Sequence, residues 1–112
     1  IAPPNYHLLI ENDHTFSLDA SEKVNFSRPS IDVTFESAAE VFKENIVCLL
    51  LSGANSDGSA GLKIVKEFGG AALVQDPDSA VVSFMPESAI ANVEVDAVLK
   101  SSEMSEYINN LP

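Results

Sequence analysis

"NIVCLLLSGANSDGSAGLKIVKEFGGAALVQD", residues 45–76, decides the fold. Its first segment, "NIVCLLLS", is apolar throughout, as a strand covered on both faces would be, and so is expected inside a sheet. A glycine turn follows, and the pattern then becomes helical from about Ser59 to Phe68, with Leu62, Ile64, Val65 and Phe68 available to a core and Gly69 and Gly70 closing the helix. "AALVQD" reads as a second strand. A strand, crossover helix and second strand at this pitch imply a parallel pair with a right-handed connection.

The flanking sequence extends that unit. Upstream, "YHLLIE" and "TFSLD" are β-prone runs separated by the turn-forming "NDH", which predicts a hairpin over about 6–19. Residues 30–44 have Ile31, Phe35, Ala38, Ala39 and Phe42 at helical spacing, with Pro29 suited to the first turn. Downstream, "DPDS" is a turn, with Ser79 a cap for a helical turn through Val82. Pro86 then opens the helix "PESAIAN", and "DAVL" reads as a third strand. "SSEMSEYINNLP" predicts a terminal amphipathic helix over about 101–110, with Met104, Tyr107, Ile108 and Leu111 on one side. The fold class is therefore α/β, a mostly parallel sheet flanked by helices in a three-layer, Rossmann-like arrangement, with an N-terminal hairpin and a βαβαβ core over about 30–99.

Composition narrows the function. The 112 residues suffice for one core, and six basic against seventeen acidic residues give a net charge of −11, which repels phosphate backbones and argues against nucleic-acid binding. No apolar run approaches the ~20 residues of a membrane span, so no membrane insertion is expected. The single cysteine, Cys48, lies within an apolar run and reads as inert core. One free thiol without a disulfide framework favours the cytoplasm. Two histidines and one cysteine offer no zinc-like spacing, so no metal is expected.

In open α/β sheets, chemistry gathers beyond the carboxyl ends of the strands, where residues 52–58 fall. Three readings of that turn stand side by side. Gly53 and Gly58 have the separation of a phosphate loop, but Ser59 and Ala60 replace the Lys and Ser or Thr that the motif demands. Alternatively, the glycines serve a tight turn while Asp57 caps the helix that follows it. In the third reading, Asp57 is a carboxylate kept ionised by helix-end amides and able to orient a histidine, as the acid of a Ser-His-Asp triad does. Capping and orienting are compatible, because a carboxylate has two oxygens.

Four blocks in order, "IAPPNYHL", "SRPSIDVTFESAA", "LLLSGANSDGSAGL" and "QDPDSAVVSFMPESAI", resemble the C-terminal part of the catalytic domain of CheB-type chemotaxis receptor methylesterases. The resemblance implies a parallel α/β sheet with a hairpin, no cofactor, and hydrolysis of glutamyl methyl esters on chemoreceptor cytoplasmic helices, with glutamine deamidation in some members. It matches Asp57 to the triad aspartate. It also matches Ala54 to a position, often methionine, whose backbone amide is thought to serve the oxyanion, with Gly53 and Gly58 supporting the turn. In the family the serine and histidine precede the "IAP" block, so the resemblance implies an incomplete domain whose upstream part supplies both. By itself the chain is then expected to be inactive. His7 and His14 belong to the hairpin; His7 coincides with a histidine common in the family and is expected to pack or hydrogen bond, and none of the serines Ser52, Ser56 and Ser59 lies on a recognisable nucleophile elbow. The implied partners are methylated chemoreceptor helices, the upstream part of the same domain and, as in many members, a receiver domain. The alternative is a non-catalytic α/β interaction module related to these enzymes.

Overall fold

A computed structural model describes all 112 residues. The elements run β1 (His7–Ile10), β2 (Phe16–Asp19), α1 (Ile31–Phe42), β3 (Val47–Leu50), α2 (Ser59–Glu67), β4 (Ala71–Gln75), α3 (Phe84–Asn92), β5 (Ala97–Leu99) and α4 (Met104–Asn109), with 3-10 turns at Lys43–Asn45, Pro77–Ser79 and Ser101–Glu103. The parallel sheet has the order β3-β4-β5, with Leu49 opposite Leu73 and Leu73 opposite Ala97. β1 and β2 form a separate antiparallel hairpin. Helices flank the parallel sheet as the strand–helix alternation predicts.

One core binds these layers. Cys48 and Leu50 of β3 and Ala72 and Val74 of β4 point to the same face, as the two-residue period of a strand requires, and pack with Leu62, Val65, Met85, Ala89 and Val93. Fully burying leucines such as Leu50 and Leu62 contributes about 1.5–3 kcal/mol each. Burial pushes the Cys48 thiol up to about 11, so it stays protonated and inert near neutrality. α2 ends as its glycines predict: Gly69 takes φ 89°, and Gly70 N–H donates back to the Val65 carbonyl at 2.9 Å.

The hairpin is anchored on α1. Thr34 Oγ1 donates to the Leu8 carbonyl at 2.8 Å, and Ser37 Oγ accepts from Ile10 N–H at 3.0 Å. His7 lies fully buried beneath it: Nδ1 accepts from Ser30 N–H at 3.1 Å, leaving Nε2 to donate to the Glu22 carbonyl at 2.8 Å. The hydrogen-bonding role expected of this ring is the one observed.

β3 lies at the edge of the three parallel strands, with Val47 43% and the adjoining Leu51 48% exposed while Cys48 and Leu50 face the core; an uncovered apolar flank is what the incomplete-domain reading leads one to expect. Several expectations are corrected. Pro29 lies outside α1, which starts after Ser30, and Pro86 is the third residue of α3, still within the first turn, where a missing N–H removes no helical bond. Ser79 is no cap: the turn Pro77–Ser79 is capped by Asp76, which accepts from Asp78 N–H at 2.9 Å, and no helix follows over 80–82. The terminal helix spans only Met104–Asn109 and buries no residue.

Candidate active site at the junction of two helices

The turn after β3 is held from the segment that leads into α3. Gly53 N–H donates to the Val82 carbonyl and Met85 N–H donates to the Gly53 carbonyl, both at 3.0 Å. Met85 lies so close that a Cβ on Gly53 would overlap its terminal methyl group. Ser52 Oγ both donates to the carbonyl and accepts from the N–H of Val82, at 3.0 and 2.9 Å. Below them, the buried Gln75 accepts from Ser52 N–H at 2.9 Å and donates to the Ser79 carbonyl and Ser101 Oγ at 3.2 and 3.1 Å. One side-chain amide thus ties together the segments leaving the carboxyl ends of β3, β4 and β5. Ala54 is exposed at the start of the turn.

Asp57 does not cap the helix that follows it. Gly58 is the N-terminal boundary residue of α2, in the left-handed region at φ 97°, where a Cβ would also meet Leu50 Cδ1 at 2.5 Å. That reversal sends the Asp57 side chain to the start of α1. Oδ2 accepts from Ile31 N–H at 2.6 Å, while Oδ1 accepts from Ser30 Oγ at 2.8 Å, Asn25 Nδ2 at 3.0 Å and Asp32 N–H at 3.1 Å. Asp57 is 3% exposed, and its donors include two amides at the positive end of a helix.

α2 is capped in return from α1. Asp32 Oδ1 accepts from Gly58 N–H at 2.9 Å and Gly61 N–H at 2.7 Å, while Oδ2 accepts from Asn25 Nδ2 at 2.6 Å. Asp32 of α1 therefore satisfies amides at the start of α2, and Asp57, in the turn before α2, satisfies amides at the start of α1, with the Asn25 amide donating one hydrogen to each acid. The helices approach closely enough for this because residue 61 is glycine, whose Cβ would stand 2.8 Å from Phe35 Cβ and 3.0 Å from Asp32 Cα. Asn25 reaches both acids from a left-handed backbone at φ 53°, a region that Asn tolerates better than most residues.

Of the residues singled out from sequence, the structure brings Gly53, Ala54, Asp57 and Gly58 into one turn at the carboxyl end of β3. No histidine of this chain joins them as a hydrogen-bond partner. His7 reaches Asp57 only through Ser30, whose N–H it accepts while the Ser30 hydroxyl donates to Asp57, and His14 packs against the Phe42 ring at 4.9 Å. Ser59 is committed to Ser88, with 3.3 Å between hydroxyls. Asn25, Ser30, Asp32 and Gln75 were not singled out. Asp32 had the nearest thing to a signal, an acid in the first turn of a helix whose Ser30 lacks the Glu or Gln partner of a capping box three residues on.

The buried Asp57 thus lies beyond the carboxyl end of β3 in a parallel α/β layer, where open sheets of this class gather their ligands. The family model for CheB methylesterase matches residues 1–108, and the chain belongs to that family. A protein of Leptospira interrogans, provisionally named protein-glutamate methylesterase/protein-glutamine glutaminase, is 57% identical over 111 residues, covering 99% of this chain and 58% of the relative. The protein-glutamate methylesterase/protein-glutamine glutaminase of Thermotoga maritima is 35% identical over 114 residues, covering 99% of this chain and 33% of its own length. The crystal structure of the Thermotoga maritima CheB methylesterase catalytic domain superposes with a TM-score of 0.93 at 35% identity, covering 96% of this chain and 59% of that one. The chain thus spans rather more than half of the Leptospira relative and of the solved domain.

Proposed function

We propose that this chain is the Asp-bearing portion of a protein-glutamate methylesterase that hydrolyses glutamyl methyl esters on the cytoplasmic helices of chemoreceptors, and can deamidate glutamine at such positions. The observation that carries the reading is Asp57, a buried carboxylate in a family whose named members are methylesterases, immobilised by four donors yet unevenly loaded. A carboxylate offers about two acceptor sites per oxygen. Oδ1 already takes three donors and Oδ2 only one, so Oδ2 is the atom assigned to a histidine Nδ1–H.

That histidine and the nucleophilic serine are assigned to polypeptide outside these residues. With Nδ1–H held by Asp57, Nε2 takes the serine proton as Oγ bonds to the ester carbonyl carbon, and passes it to the departing methoxide, which leaves as methanol. Water, deprotonated by the same nitrogen, then splits the acyl-serine, restoring the serine and releasing the glutamate carboxylate. The Ala54 N–H is assigned to the carbonyl oxygen while it carries negative charge. Methylated chemoreceptor helices are the proposed substrates, the cytoplasm the proposed setting, and a receiver domain the proposed regulator.

The test is methanol release from a methylated receptor peptide. The complete catalytic domain is expected to release it, and residues 1–112 alone are expected not to. Silence from the complete domain would instead favour a non-catalytic interaction module. One feature favours that second reading: a carboxylate that satisfies the first amides of α1 has a structural purpose without any chemistry.

A further inference from the structure

We propose that Asp32, acting with Asn25, is a positioning residue for Asp57, fixing which oxygen of the catalytic acid is presented to the histidine. The proposal rests on the reading of Asp57 as the triad acid. Asp32 governs Asp57 by three routes. Its own N–H donates to Asp57 Oδ1 at 3.1 Å. Its carboxylate accepts from Gly58 N–H at 2.9 Å, the peptide directly after Asp57, and from Gly61 N–H at 2.7 Å, which pins the turn carrying the acid. Its second oxygen takes one hydrogen of the Asn25 amide at 2.6 Å and so aims the other at Asp57 Oδ1, where the contact is 3.0 Å.

The consequence is directional. Asn25, Ser30 Oγ and the Asp32 amide all converge on Oδ1, which leaves Oδ2 with the Ile31 N–H alone. Without Asp32, the Asn25 amide is free to turn and the turn at Gly58 loses its tether, so the carboxylate can rotate and offer either oxygen. Neither Asp32 nor Asn25 is assigned a contact with the reacting atoms.

The chemistry at position 32 requires an acid. Three donors, Gly58 N–H, Gly61 N–H and Asn25 Nδ2, need acceptors on two oxygens at once. Asparagine supplies one oxygen and would set a second NH₂ against that of Asn25. Asp32→Asn therefore keeps an acceptor for α2 and loses the bridge, which separates positioning from simple capping. Asn25→Gly removes the bridge from the other side while allowing the left-handed backbone at φ 53°.

The experiment is a double-mutant cycle in the complete catalytic domain, reading methanol release from a methylated receptor peptide for Asp32→Asn, Asn25→Gly, Asp57→Asn and each first variant combined with Asp57→Asn. Asp57→Asn should lower kcat by about 10⁴-fold, as the wrong tautomer does in triads. Asp32→Asn and Asn25→Gly should each lower kcat by up to about 10²-fold, the scale of a misplacement near 1 Å, with KM unchanged. Combined with Asp57→Asn, neither should lower kcat further, because the residue through which they act is already disabled. An equal loss in both backgrounds would show a merely structural role and overturn the proposal. Normal kcat in Asp32→Asn and Asn25→Gly beside a 10⁴-fold loss in Asp57→Asn would overturn it while leaving the triad reading intact. Near-normal turnover by Asp57→Asn would remove the triad reading and this proposal together. Should Asp32→Asn not fold, the Asn25→Gly arm decides by the same criteria.

Discussion

At the junction of α1 and α2, two acids accept seven hydrogen bonds from six residues and the gap between helices is closed to a Cβ at Gly61. Along the outer side of β3, Val47 and Leu51 are nearly half exposed and nothing directional holds them. The two regions lie at either end of the same short stretch of chain. Hydrogen bonds have angles and lengths, so the junction admits one arrangement of its groups; apolar burial is nearly isotropic, so the flank constrains area and little else. A site that must present one oxygen of one side chain belongs on the first kind of ground.

Breaking the junction should have the largest effect. Asp57→Ala strips acceptors from Ile31 N–H, Asp32 N–H and the Ser30 hydroxyl, and should lower the unfolding free energy of the chain by about 2–4 kcal/mol in urea titration. A loss under ~1 kcal/mol would mean that water replaces the carboxylate and that the junction is looser than its geometry implies. A part-exposed acid gives an intermediate case. The Lys66 ammonium holds the Asp96 carboxyl below its ordinary range from 2.8 Å, with help from Ala72 N–H. A lowered folded value means the contribution is fully present above the unfolded carboxylate range and disappears as pH falls through the folded one. Because the pair is open to solvent, Asp96→Asn should flatten the acid limb of a stability–pH curve by no more than ~1 kcal/mol. The smallest effect on stability belongs to the flank: Val47→Thr with Leu51→Thr should each shift it by under ~0.5 kcal/mol while reducing concentration-dependent association in sedimentation. A large destabilisation there would erase the contrast.

What could be read in the sequence follows the same division. The strand–turn–helix unit was legible because its periodicity and its terminating glycines are local signals; Gly58 and Gly69 both take the positive φ that a reader would assign to glycine. Asp57 was placed correctly in the turn and wrongly on its helix, since its donors lie 25 to 32 residues earlier in the chain and no local pattern joins them. Asp32 carries no local mark of its role, since an acid in a helical first turn is ordinary at any solvent-facing helix start. The apolar run of β3 records what a strand can bury and not which neighbours this chain supplies, and the chain spans 59% of the solved domain it matches.

Gly61 carries a mechanical consequence. A methyl group there would have to push Phe35 and the Asp32 backbone away, and the displacement could not be confined to one helix, because α2 clasps Asp32 of α1 and α1 clasps Asp57 of the turn that leads into α2. Paired in this way, α1 and α2 shift as one lever. Anything that tilts the lever, even through the hairpin that α1 anchors at Thr34 and Ser37, would be felt at the oxygen on which catalysis is proposed to turn.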